Sequence, residues 1–191
     1  SDWMVFNAVF VGGLLVAVAG LFSSYILCRA EGMNVLVPTP YLALPLLIWG
    51  LIWWFGNGLV EILYFVEPDL QWVSVLGFLA VSAAVLGWLE WKLDWQELRF
   101  TPVGLLVAMV LAALPALAVL SHPLAEFGLV GWSLLFAAFY GLLWLRDRRE
   151  PMLASLIAAL HLGGGWLLTL LLSVELVWWV GTLTDRNPAW W

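Results

Sequence analysis

Charge is what this chain has least of. Charged residues make up 10% of its 191 residues, and apolar residues 64%. Soluble domains carry about 25% charge and about 45–50% apolar residues. A soluble fold of this size must still present a wettable surface, so the composition excludes one and points to lipid. Cationic residues are scarcest, at seven Lys plus Arg against thirteen Asp plus Glu. The net charge of −6 excludes the basic patches that nucleic-acid binding requires. The single cysteine, Cys28, excludes an internal disulfide and a cysteine-based metal cluster. Phosphate-binding P-loops, dinucleotide fingerprints, HExxH zinc motifs and nucleophile elbows are all missing. The run Gly163-Gly164-Gly165 is not followed by Lys-Ser/Thr, so it is not a nucleotide loop. No cofactor or resident metal is expected.

What is present is hydrophobic length. Six stretches reach the roughly 20 apolar residues that a spanning helix needs: 5–27, 41–64, 72–89, 102–120, 129–145 and 152–180. The expected fold is all-α, a polytopic transmembrane bundle of about six helices forming one domain over residues 1–191. The last stretch is too long for a straight span, which predicts a tilt or an interruption at Gly163–Gly165. Pro115 is expected to kink the fourth helix. Small residues recur every four positions: Gly13/Ala17 and Gly20/Ser24, Gly104/Ala108/Ala112/Ala116, Ser133/Ala137/Gly141, and Ser155/Ala159/Gly163. Such stripes let helix backbones approach closely in lipid.

The few cations are not scattered. Arg29 follows the first stretch, Lys92 and Arg99 the third, and Arg146, Arg148 and Arg149 the fifth. Cytoplasmic loops carry the excess of Lys and Arg, so both termini are expected outside and the Arg146–Arg149 loop inside. Most of the fifteen tryptophans suit interfacial belts. Trp88, Trp91 and Trp95 are expected on one helical face, with Trp72, Trp178, Trp179, Trp190 and Trp191 near the other surface. Trp49, Trp53, Trp54 and Trp166 lie deeper.

The polar residues inside this frame are the candidate site. Trp53, Asn57 and Glu61 recur at i, i+4 and i+8, with Tyr64 beyond, as a polar-aromatic stripe. Glu61 lies about 20 residues, or about 30 Å, into a helix that starts inside. Glu175 reaches a similar depth, and His122-Pro123 with Glu126 occupies the outer turn. Trp53, Asn57, Glu61, His122 and Glu175 are therefore expected to share an outer-face polar site. Two bland readings compete: the acids end their helices in the headgroup layer, and His122 only shapes a turn. Two carboxylates and a histidine also match divalent-cation ligands in type, but their spacing is not diagnostic. His161, read as near mid-membrane, is a hydrogen-bonding residue of the bundle or a proton relay.

Three segments carry a resemblance. They are Trp49-Gly50-Leu51-Ile52-Trp53-Trp54-Phe55-Gly56-Asn57-Gly58 running to Glu61-Ile62; His122-Pro123-Leu124 with Gly131-Trp132; and Leu160-His161-Leu162 through Trp166 to Glu175-Leu176-Val177-Trp178. Together they resemble the bacterial multi-pass membrane family catalogued as domain of unknown function 2339. The resemblance implies a bacterial inner-membrane protein and a segment of a longer chain, with further helices as partners besides the bilayer. It supplies no activity. Two functional classes follow: a binding or transport module for an envelope glycan or lipid-linked substrate, or a structural membrane module without a site of its own. A general acid or base role for Glu61 or Glu175 is a third, weaker reading.

Overall fold

The computed structural model describes residues 7–29, 39–118, 120, 122–125, 127–148 and 154–185. Glu126, Arg149, Trp190 and Trp191, all named above, lie outside these residues. Six α-helices follow in order: α1 Ala8–Arg29, α2 Thr39–Phe65, α3 Pro68–Leu93, α4 Thr101–Ala118, α5 Gly128–Asp147 and α6 Ala154–Asp185. A 3-10 turn at Gln96–Phe100 leads into α4. All six are long and apolar enough to cross a membrane, and no strand occurs among the described residues. Val9, Phe22, Trp49, Leu111, Trp166 and Val177 are among many large apolar side chains left exposed. In water that exposure would be untenable; against acyl chains it costs nothing.

The chain divides into two compact units. The first holds residues 1–71 and 89–97 and is built on α1 against α2. Gly13, Ala17, Gly20 and Ser24 form the buried stripe of α1, as their spacing predicts. Their partners on α2 run in the opposite direction. Gly13 faces Asn57, Gly20 faces Gly50, and the Ser24 hydroxyl donates to the Ala43 carbonyl at 2.8 Å. At Gly20 and Gly50 the backbones themselves touch: a Cβ on Gly50 would lie 2.8 Å from the Leu21 nitrogen and 3.0 Å from the Ala17 oxygen. This unit also corrects the expected Trp88/Trp91/Trp95 face. Asp94 caps α3 in the left-handed conformation (φ 49°), so the helical period ends before Trp95. Trp95 turns inward to 4% exposure, against Tyr25 at 5.3 Å, whereas Trp88 and Trp91 stay exposed. Arg29 closes the same end by donating to the Leu93 carbonyl at 2.9 Å.

The second unit holds residues 72–88 and 98–191. Its core is made of Leu76, Met109, Leu135, Phe139 and Leu143, all fully buried. Gly131 is buried because Leu76 fills the space a Cβ would occupy, 2.7 Å away. Here the small-residue stripes predict packing on α4 but not on α5, and on α6 only at Gly163. Gly104, Ser133, Ala137, Gly141, Ser155 and Ala159 are exposed; only Ala112, Ala116 and the half-buried Ala108 and Gly163 face neighbours. On α5 the buried side chains are large, among them Trp132, Leu135, Phe136, Phe139 and Leu143, whereas α4 buries Ala112, Ala113 and Ala116 beside Leu105 and Met109. The sixth helix is unbroken. Its glycines are contact points instead: Gly163 receives Leu106 from α4, and Gly164 receives Phe139 from α5. Pro115 is accommodated inside α4, which continues to Ala118.

Candidate functional site

Each unit places its polar residues differently. In the first, Asn7 precedes the apolar run of α1 and caps it, its Oδ1 accepting the Phe10 N–H at 2.7 Å. The other end of the same amide donates to Glu61 Oε1 at 2.6 Å. One turn earlier on α2, Asn57 donates to the Phe10 carbonyl at 2.8 Å. Asn57 and Glu61 therefore clamp the start of α1, where a carboxylate also complements the positive helix end. Asn7 is not among the site residues read from the sequence, although an Asn immediately before an apolar helical run is a capping signal. Trp53 and Tyr64 leave the stripe: Trp53 is exposed and edge-on to Trp49 at 5.9 Å, and Tyr64 is exposed.

In the second unit, the turn after α4 brings His122 to α6. His122 Nδ1 lies 2.9 Å from Glu175 Oε2, and the pair is only 16% and 10% exposed at the side chains. The same carboxylate oxygen accepts the Leu124 N–H at 3.3 Å. The indole of Trp178, one turn beyond Glu175, stacks on the His122 ring at 3.8 Å between centroids. Pro123 is fully buried and fixes the turn, and a Cβ on Gly128 would lie 2.5 Å from its carbonyl oxygen. The result is a charged or polar pair with an aromatic plate at one end of the bundle. Such a cluster can exchange a proton, accept hydrogen bonds from hydroxyl groups and stack on an apolar sugar face.

The five residues read from the sequence take these places within their own units. His122 and Glu175 meet in the second unit; in the first, Asn57 and Glu61 serve the α1 clamp and Trp53 is exposed. Among the described residues no group of three or more His, Cys, Asp or Glu side chains is placed to hold a metal ion. His161 is exposed and stacks on Tyr140 at 5.7 Å. It lies seven residues after the first residue of α6, about 10 Å along the helix. In the basic loop, Arg148 lies over the Trp144 ring at 4.0 Å, while Arg146 is buried.

No protein-family profile, curated protein or solved structure matches the chain.

Proposed function

We propose that this chain is a membrane-embedded binding module for an envelope glycan or lipid-linked substrate, acting where His122, Glu175 and Trp178 gather. The observation that carries this reading is the 2.9 Å His122–Glu175 contact beneath a stacked indole. A carboxylate, an imidazole and an aromatic plate at the end of an apolar bundle suit a ligand with hydroxyl groups and an apolar face. The alternation of Arg29, Lys92/Arg99 and Arg146/Arg148 supports an orientation with this cluster on the outer side of a bacterial inner membrane. Resemblance to the family of unknown function 2339 belongs to the same reading, as does membership of a longer protein.

The test is binding of a fluorescent glycolipid by the whole chain in vesicles. Glu175→Gln and His122→Gln each lower the affinity at least tenfold while the helical content is retained; unchanged affinity in both refutes the reading. Glu61→Gln leaves binding unchanged. Labelling of Arg148→Cys from outside intact cells would refute the orientation.

The purely structural reading has its own support in the first unit. There the Asn7–Glu61 and Asn57–Phe10 hydrogen bonds use Asn57 and Glu61 of α2 as packing devices.

A further inference from the structure

The second unit gathers cations at one end, and helix lengths fix the depth of that end. Gly163 and Gly164 of α6 receive Leu106 of α4 and Phe139 of α5, so these four residues share one level. From Phe139, Arg148 lies nine residues on along α5, about 14 Å. Arg99 lies seven residues back from Leu106, about 10 Å toward the same end, because the turn that carries His122 joins α4 and α5 at the other. In that other direction Glu175 lies eleven residues beyond Gly164, about 17 Å. Arg148 and Glu175 are thus about 30 Å apart along the unit, the thickness of a bilayer's hydrocarbon core. With the His122–Glu175 pair at one headgroup boundary, Arg99 and Arg148 stand at the opposite one.

These two guanidiniums are mounted alike. Arg148 lies 4.0 Å from the centre of the Trp144 ring, and Arg99 5.0 Å from that of Phe100. Both rings are exposed, and both lie on the deeper side of their cation. A guanidinium stacked on a ring keeps its rim of N–H donors free. Neither Arg99 nor Arg148 forms a hydrogen bond or ion pair among the described residues; Asp147, the acid next to Arg148, is exposed and does not join it. A planar fork of donors matches the oxygens of a phosphate. The exposed ring beneath it calls for an apolar cover, which a free anion or an acidic peptide does not bring. A phospholipid brings both, its phosphate at the level of the cation and its glycerol and first acyl carbons at the level of the ring. A zwitterionic headgroup also carries its own cation to the same place, so two unpaired guanidiniums are complemented by an anionic one.

We propose that this end of the second unit binds anionic phospholipids, the ring-mounted guanidiniums of Arg148 and Arg99 taking lipid phosphate while Trp144 and Phe100 meet the glycerol region below it. The proposal does not depend on the binding role given to His122 and Glu175.

The test is native mass spectrometry of the whole chain in detergent, with phosphatidylglycerol and phosphatidylcholine of identical acyl chains supplied in equal amounts. Phosphatidylglycerol should be retained at least tenfold over phosphatidylcholine. A basic residue beside anionic lipid contributes about fivefold, so the pair Arg99→Gln and Arg148→Gln together should remove most of that preference. The pair Arg99→Lys and Arg148→Lys keeps the charges that orient the chain, and should still lose at least threefold, because an ammonium group presents no planar fork. His122→Gln should leave the preference unchanged. Equal retention of the two lipids by the unaltered chain overturns the proposal. So does a preference that survives the glutamine pair with helical content intact, which would put the lipid elsewhere. Full preference in the lysine pair would reduce the effect to bare charge and overturn the ring-mounted site. Displacement of the lipid by excess inorganic phosphate would make this a site for a free anion and overturn the lipid assignment.

Discussion

His122 and Glu175 join the α4–α5 turn to α6 at a point ten residues before the helix ends, through a 2.9 Å contact between Nδ1 and Oε2. The last ten residues of α6, about 15 Å, therefore run on beyond the turn, and Trp178 at their start covers the histidine. Glu175 holds two groups at once, the imidazole and the Leu124 N–H. Glu175→Leu should loosen the turn and cost on the order of 2–3 kcal/mol, since two mostly buried polar groups lose their acceptor. Glu175→Gln should cost less, because its amide oxygen still accepts from either. Thermal unfolding in detergent, followed by circular dichroism, gives the ranking. Equal losses for the two variants would show that the carboxylate acts through its charge rather than as an acceptor.

The α1 clamp predicts a different pattern. Asn7→Ala removes both the cap on Phe10 and the donor to Glu61, and should cost about 1–2 kcal/mol. Glu61→Ala removes only one of these and should cost less. The double variant should cost less than the sum of the two, because each single change already breaks the same Asn7–Glu61 bond. Strict additivity in a double-mutant cycle would refute the coupling.

Close backbone contact makes Gly50 the least replaceable glycine of the first unit. An added Cβ would meet the Leu21 nitrogen at 2.8 Å and the Ala17 oxygen at 3.0 Å, and backbone atoms cannot swing aside as side chains do. Gly50→Ala should destabilise by about 1–3 kcal/mol through overpacking. Gly56, one and a half turns on, has nothing within 4 Å of its Cβ position. Gly56→Ala should be neutral or stabilising by up to about 1 kcal/mol, as alanine is the better helix former. A comparison of the two melting temperatures decides the matter; a larger loss at Gly56 would contradict the α1–α2 packing.

The sequence made some of this legible and hid the rest for identifiable reasons. Helix number and class follow from hydrophobic length, which is a local property. The Gly13–Ser24 stripe was also readable, because α1 packs by backbone approach and small residues mark that directly. The Ser133/Ala137/Gly141 stripe is misleading, since the same spacing also arises on a face left exposed within its unit among the described residues. His122 and Glu175 were placed at one depth by counting residues, and their meeting shows that depth alone finds pairs within one bundle. Counting could not find the partner of Glu61, because that partner is Asn7, a cap whose second hydrogen bond reaches 54 residues along the chain. Trp95 was misassigned by one backbone angle, the left-handed Asp94, which a helical period cannot reveal.

A second left-handed residue offers a direct handle on the turn that carries His122. Phe127 precedes α5 with φ 60°, a conformation that bulky L-residues adopt only under constraint, and its side chain is mostly exposed. The constraint is visible in the neighbouring bonds. Gly128 N–H donates to the Ala125 carbonyl at 2.7 Å, and the Phe127 carbonyl accepts from both Val130 and Gly131. Asparagine tolerates this conformation and keeps every one of these backbone bonds. Phe127→Asn should therefore stabilise the bundle by up to about 1 kcal/mol and leave glycolipid binding unchanged. Phe127→Val should do the opposite, because a β-branched side chain is strained at positive φ. If instead Phe127→Asn lowers the melting temperature while Phe127→Val does not, the exposed ring contributes more through lipid contact than the backbone loses by strain.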